Sequence, residues 1–203
     1  MNRIIKLVNL LMRNPSMQNS DTPKRMRLLE AANKLVHTQG FNQTTLADIA
    51  KEAEVPLGNV YYYYKTKEDI GQALIEHRAD YYRALMATWE KSPNPKKRIL
   101  ALIEEVQSQR EVLACSGCQI GSLCQELHKD GGPLADKAAT LLAAILSWLE
   151  QQFRLLGKDA ESADLALQLL SALQGASLLT HTFHQPDLIV RETTRLKAWM
   201  ETL

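Results

Sequence analysis

Residues 44–70 read TTLADIAKEAEVPLGNVYYYYKTKEDI. Near the start of this stretch, four apolar residues recur at the i, i+3, i+4, i+7 spacing of one helix face: Leu46, Ile49, Ala50 and Ala53. Thr44 and Thr45 precede them and are suited to cap that helix. A tight turn at 54–56 leads into a second short helix, which carries the run of four tyrosines. Two short helices joined by such a turn predict a helix-turn-helix, whose second helix can lie in the major groove of DNA.

Helical periodicity continues over nearly the whole chain, and no run of alternating apolar and polar residues predicts a sheet. A first helix should end at Gly40, and Thr66 is suited to cap a long helix that runs on to Trp89. Pro and Gly punctuation divides the remainder into predicted helices over 95–114, 119–129, 133–156, 160–183 and 186–202. We therefore predict an all-α protein: a three-helix DNA-binding head, a connecting helix and a helical-bundle body of about five helices.

The charge of the chain is unevenly distributed. Residues 1–70 hold 10 Lys and Arg against 7 Asp and Glu, whereas residues 71–203 hold 14 against 16. The first 27 residues hold six basic side chains against Asp21 alone. A basic end on a nearly neutral body suits a protein that touches phosphates with one end only, although a solvated basic tail would have the same composition.

The opening MNRIIKLVNLLMRN contains a short apolar run that Lys6 and Asn9 interrupt, and no small-residue cleavage site follows it. It is therefore not expected to be a signal peptide. It is either an additional amphipathic helix or a segment upstream of a true start at Met17. No stretch reaches the roughly 18 apolar residues of a membrane span. With three cysteines and no export signal, we expect a cytoplasmic protein with reduced thiols and no membrane partner.

The head resembles the TetR family of bacterial transcriptional repressors. The resemblance spans about 50 residues and rests on the joint spacing of Gly40-Phe41, Thr44-Thr45-Leu46, Asp48-Ile49-Ala50, Ala53, Val55, Gly58, Tyr61, Tyr63, Lys65 and Lys67. It implies three parts: a basic N-terminal extension over 1–22, a helix-turn-helix DNA-binding domain over 23–70, and an effector-binding and dimerisation domain over 71–203. Glu54 stands where many members have Gly, and Pro56 and Leu57 stand where Ser and a basic residue are frequent.

The same match implies which residues would contact DNA. Thr45, Tyr63 and Lys67 would hold phosphates, which fix the orientation of the protein on the duplex. Base edges or nearby backbone would be contacted by Leu57, Gly58, Asn59 and Tyr62. Since the recognition helix lacks a basic residue at its start, direct readout of guanine is in doubt, and Leu57 could instead meet a thymine methyl. We expect Tyr61 and Tyr64 to pack in the core and one or both of Tyr62 and Tyr63 to be exposed.

The cysteines Cys115, Cys118 and Cys124, with His128, form the one reactive-looking group in the body. They could bind a metal, although a second close ligand pair is missing. Cys118 could sense oxidants or electrophiles, since it directly precedes a predicted helix. The third interpretation, which the pattern favours, is that the small thiols pack in a tight loop. The run GCQIGSLCQEL resembles a stretch found in one subgroup of these repressors.

The rest of the body offers candidates for an effector pocket and for a dimer surface. An apolar pocket would involve Trp148 and Phe153, although each is more often plain core. The resemblance implies dimerisation through the last two helices, with an interface of Leu169, Leu173, Gly175, Ala176, Leu179, Leu196, Trp199 and Met200. Two heads would then reach successive major grooves of a palindromic operator.

These observations favour one functional class. We expect a homodimeric repressor that binds double-stranded DNA and is released by an unidentified small-molecule or thiol-reactive effector. The alternative is a helix-turn-helix DNA-binding protein without an effector, of an adaptor or nucleoid type. An enzyme is not expected, because no catalytic triad, phosphate-cradling glycine loop or metalloprotease motif occurs. No cofactor and no metal are expected.

Overall fold

The computed structural model describes residues 23–203, so the predicted basic extension of residues 1–22 lies outside the described part. The described chain is all-α, as predicted, and contains no strand. Its helices are α1 (Pro23–Gln39), α2 (Leu46–Glu52), α3 (Leu57–Tyr63), α4 (Lys67–Trp89), α5 (Pro95–Ser108), α6 (Arg110–Ser116), α7 (Gln119–Asp130), α8 (Pro133–Leu155), α9 (Ser162–Phe183) and α10 (Pro186–Met200). Within residues 23–203, no helix has both the length and the apolar character needed to cross a membrane.

The single helix predicted over 95–114 is wrong, because the chain forms α5 and α6 there. Gln109 separates them with φ −88° and ψ 11°, and its N–H bonds to the carbonyl of Val106 at 3.2 Å. This i to i+3 bond ends the α-helical pattern for one residue. Neither Gly nor Pro marks the site, and the apolar periodicity continues on both sides, so the sequence carries no signal for the break.

The chain divides into two compact units. The first contains the described residues up to Tyr82 together with 122–141. Its core includes Leu28, Ile49, Val60, Ile70 and Leu74, each almost fully buried. The helix-turn-helix formed by α2 and α3 thus shares a core with α1, because each of the three helices contributes at least one side chain that is almost fully buried.

The second unit contains residues 83–121 and 142–203. Its most deeply buried side chains come from α5, α8, α9 and α10, and include Ile99, Ile103, Leu149, Phe153, Leu169 and Ile189. The two units are defined by packing, and one of them combines the helix-turn-helix with residues 122–141. The division by role at residue 71 therefore stays a prediction.

Candidate nucleic-acid interface

A capping box begins α2. The hydroxyl of Thr45 accepts the Asp48 N–H at 3.1 Å, and the Asp48 carboxylate accepts the Thr45 N–H at 2.9 Å. The same carboxylate accepts the Thr45 hydroxyl proton at 2.7 Å. These bonds from the Thr45 hydroxyl and backbone, with the nearby Lys51 charge, lower the pKa of Asp48 below its ordinary value. Thr45 is exposed and fixed in place, and its contact with a phosphate stays a prediction.

The turn between α2 and α3 carries a conformational cost. Glu54 has φ +53°, in the left-handed region that a side chain disfavours, where many family members have Gly. The N–H of Val55 bonds to the carbonyl of Ala50 at 2.9 Å and closes the turn. Pro56 is the N-cap of α3 and Leu57 is its first residue.

The recognition helix α3 has one buried face and one exposed face. Val60 is fully buried and anchors it to the core. On the other side, Leu57, Tyr61 and Tyr62 are 41%, 52% and 81% exposed. Gly58 is also exposed, and a Cβ placed there would have no atom within 4 Å. This exposed face of α3 thus offers apolar and phenolic groups, but no cation, for contact with base edges and thymine methyls.

The tyrosine run is only partly as expected. Tyr64 is buried, which confirms its core position, but the core position expected for Tyr61 is wrong. The expectation used helical spacing between the two, whereas α3 ends at Tyr63 and Tyr64 has an extended backbone. Tyr64 therefore turns inward independently of the helix. Tyr62 is exposed, as expected for at least one of the central pair, and packs edge-to-face on half-buried Tyr63 at 5.0 Å between ring centroids.

Helix α4 begins with the cap expected from the sequence. The Thr66 hydroxyl accepts the Asp69 N–H at 3.1 Å, and the Asp69 carboxylate accepts the Thr66 N–H at 3.1 Å. Lys67, the first residue of α4, donates from Nζ to the carbonyl of Asn42 at 2.9 Å. The same ammonium lies 4.8 Å from the centroid of the Phe41 ring. Lys67 is thus tied to the loop before α2, a neighbour that its sequence position does not reveal.

A residue of α7 that sequence reasoning missed also belongs to this region. Glu126 accepts the backbone N–H groups of Phe41 and Asn42 at 2.7 and 2.6 Å. It lies in the first unit, 84 residues or more along the chain from both donors. The absence of a side chain at Gly40 makes room for it, since a Cβ there would lie 3.0 Å from Glu126 Oε1. No local pattern links positions so far apart, so a single sequence could not have shown this contact.

None of the three cysteines forms a disulfide, and their surroundings differ. Cys115 is exposed, whereas Cys124 is buried and donates from Sγ to the carbonyl of Ala138 at 3.1 Å. Cys118 is half-buried, and its sulfur accepts the Gly121 N–H at 3.4 Å and the Gln174 Nε2–H at 3.6 Å. Within residues 23–203, no group of three or more His, Cys, Asp or Glu side chains could hold a metal ion, so the metal interpretation has no support there.

The two aromatic residues predicted to line an effector pocket lie in the interior of the second unit. Trp148 is buried and donates its indole N–H to Glu90 Oε1 at 2.8 Å. Phe153 is fully buried, with its ring centroid 6.2 Å from that of Trp199. These contacts fit the packing role weighed for both residues, and their part in effector binding stays a prediction.

The predicted dimer residues separate into two groups. Leu169, Leu173, Ala176, Leu196 and Met200 are buried within the protomer, and Trp199 is half-buried. Gly175 and Leu179 are exposed. They are joined on the outer side of α9 by three exposed apolar residues absent from the prediction, Leu167, Leu178 and Phe183. A groove of about 500 Å³ between α9 and α10 is lined by Ala172, Ala176, Leu179, Leu188, Arg191, Glu192 and Arg195.

Known proteins share both the motif and the fold. Residues 28–74 match the model of bacterial regulatory proteins of the tetR family. The transcriptional repressor DhaR of Mycobacterium sp. (strain GP1) is 32% identical over 161 residues, which cover 74% of this chain and 76% of DhaR. The repressor NemR of Escherichia coli K12 is 29% identical over 136 residues, which cover 64% of this chain and 68% of NemR.

Solved structures agree with this assignment at the level of the fold. A TetR transcriptional regulator from Legionella pneumophila superimposes on this chain with a TM-score of 0.76 at 20% sequence identity. The superposition covers 92% of this chain and 98% of the Legionella chain. The reduced form of E. coli NemR superimposes with a TM-score of 0.72 at 23% identity and covers 86% of this chain and 96% of its own. The chain belongs to the TetR family of bacterial transcriptional regulators.

Proposed function

We propose that this regulator is a homodimeric, ligand-responsive repressor that binds a palindromic operator through the exposed face of α3. The observation that carries the proposal is that face itself: Val60 fixes the helix in the core, while Leu57, Gly58 and Tyr62 point away from it. Lys67, Thr45 and Tyr63 flank it and would hold the backbone phosphates. Since the α3 side chains include no cation, specificity should come from apolar contacts, Asn59 and the shape of the duplex.

The dimer would form through the outer sides of α9 and α10. Leu167, Leu178 and Phe183 are each more than half exposed, and several large exposed apolar side chains along one helix are typical of an interaction surface. The exposed Gly175 lets a partner backbone approach closely. The buried members of the predicted set, such as Leu169, would support this surface from within and would not touch the partner.

The effector would be a thiol-reactive small molecule that modifies Cys118. This sulfur lies where α7 and α9 meet, since it accepts one N–H from Gly121 of α7 and one from Gln174 of α9. Cys118 also packs against the apolar cluster of Leu113, Ala176 and Ile189. A group attached to its sulfur would therefore disturb the packing of α9 in this cluster. A solved structure of the relative NemR is of its reduced form.

A gel shift on DNA from upstream of the gene tests the proposal. The purified protein should shift a duplex that contains the operator, and an electrophile such as N-ethylmaleimide should release it. Cys118→Ser should abolish the release, while Cys115→Ser, at an exposed thiol near the end of α6, should leave it unchanged. Release that survives Cys118→Ser would refute the thiol-reactive effector. Binding that no small molecule alters would favour the effector-free alternative.

A further inference from the structure

A carboxylate of α7 holds the loop between α1 and α2. Glu126 Oε2 accepts the Phe41 N–H at 2.7 Å, and its Oε1 accepts the Asn42 N–H at 2.6 Å. One turn further along α7, Asp130 Oδ2 accepts an amide proton from the Asn42 side chain at 2.6 Å. Bonds from N–H groups to carboxylates are stronger than those between neutral groups. Three such bonds on two adjacent residues fix this loop against α7.

The loop is shaped to receive this carboxylate. Gly40 has φ +89°, and a Cβ there would lie 3.0 Å from one oxygen of Glu126 and 3.1 Å from the other. A larger residue would therefore both strain the backbone and displace the carboxylate. The Phe41 ring also packs closely on the backbone of α4 at Gly71, where a Cβ would lie only 2.9 Å from the ring. The loop has little freedom to take another conformation.

The same loop places the ammonium of Lys67. Its Nζ donates to the Asn42 carbonyl at 2.9 Å and lies over the Phe41 ring. An ammonium has three N–H donors, so those that remain can serve an incoming phosphate. Asn42 thus donates its own N–H to Glu126 and accepts from Lys67 through its carbonyl. The carboxylate, the peptide unit and the ammonium form one connected chain of hydrogen bonds.

We infer that Glu126 is a positioning residue for DNA binding: it fixes residues 41 and 42, which in turn hold the Lys67 ammonium where it meets a backbone phosphate. The inference rests on the proposed function, which assigns Lys67 to a phosphate. Glu126 itself does not touch DNA in this account. Its effect passes through the loop.

The sign of one substitution separates this role from a general charge effect. Glu126→Gln removes a negative charge, and long-range electrostatics alone would then strengthen binding to a polyanion. The amide retains one acceptor oxygen where the carboxylate had two, so one of the two backbone N–H groups loses its partner. If Glu126 positions Lys67, operator affinity should instead fall, by about ten-fold.

The test measures the affinity of the full chain for a selected operator duplex at several salt concentrations. Glu126→Gln should weaken DNA binding. It should also reduce the magnitude of the slope of log K, where K is the association constant, against log [salt] by about 0.9 for each head, because one phosphate contact contributes about that much to the slope. Glu76→Gln is the matched control, because Glu76 is an exposed residue of α4 in the same unit and loses the same charge. It should bind slightly more tightly with an unchanged slope.

A double-mutant comparison excludes a merely structural role. Lys67→Met should lower the salt slope by the same amount, and adding Glu126→Gln to it should cause no further loss of DNA affinity and only the slight gain seen with Glu76→Gln. Additive losses would overturn the inference. If Glu126→Gln fails to fold by circular dichroism, Asp130→Ala serves as the milder variant, because it removes the acceptor of the Asn42 side chain; a smaller loss of the same sign is expected, and an unchanged affinity would contradict the inference. A wild type that selects no duplex would refute the proposed function, whereas equal binding by wild type and Glu126→Gln would refute this inference alone.

Discussion

Gly58→Ala should move protein stability and DNA affinity in opposite directions. Gly58 is the second residue of α3, its φ is not positive, and an added Cβ would meet no atom within 4 Å. Replacing a helical glycine by alanine without a clash stabilises a protein by about 0.5–1 kcal/mol, because the unfolded chain loses freedom. For a chain of this size, that corresponds to a rise in Tm of roughly 1–4 °C.

The same methyl group would stand on the face that we propose contacts DNA. If the helix approaches the bases closely at Gly58, the methyl must displace it, and we expect operator affinity to fall by at least about ten-fold, or 1.4 kcal/mol. Thermal unfolding and a fluorescence-anisotropy titration on a selected duplex measure the two effects on one preparation. Sedimentation must show an unchanged mass, so that the loss is not one of assembly. A raised Tm with unchanged affinity would refute the proposed face.

The remaining predictions concern single contacts. Glu54→Gly should raise the free energy of unfolding in urea by about 0.5 kcal/mol, since relief of the left-handed strain exceeds the added chain entropy; a loss would contradict it. Folding lowers the pKa of Asp48, so the contribution of its carboxylate to stability is present above pH 3.8 and is lost as the pH falls below that value. The Tm difference between wild type and Asp48→Asn should therefore shrink below pH 3.8. Trp148→Phe loses its bond to Glu90 and should cost about 1 kcal/mol in urea unfolding. Leu179→Glu should yield folded monomers by sedimentation, with a Tm lowered because the dimer no longer stabilises the folded chain; persistent dimers would exclude this surface.

Much of the fold can be predicted from the sequence because its boundaries have local chemical causes. Gly40 ends α1, Thr66 caps α4, and Asn94 caps α5 by accepting the N–H groups of Lys96 and Lys97 at 2.9 and 3.3 Å. Each signal lies within a few residues of the boundary that it sets. The break at Gln109 has no such residue, and it was therefore missed.

The candidate interface was predictable to a smaller extent, because side-chain direction depends on where a helix ends. Spacing alone placed Tyr61 beside Tyr64, yet the extended backbone at Tyr64 separates them. The partners of Lys67 and Glu126 depend on contacts far apart in sequence, which periodicity does not contain. Similarly, apolar spacing could not tell which side of α9 faces its own core, so Leu169 and Leu179 were assigned to one surface although only Leu179 is exposed.

A dimer of this chain should read a palindromic DNA site through α3. The most direct measurement selects bound duplexes from a random library with the wild type and with Tyr62→Ala. The Tyr62 side chain is 81% exposed, so we expect the substitution to leave the fold intact. The wild type should enrich an inverted repeat whose half-sites lie about one helical turn, 34–36 Å, apart. Tyr62→Ala should keep the spacing but weaken or alter the bases within each half-site. Enrichment of no repeat, or of the same bases by both proteins, would contradict the account.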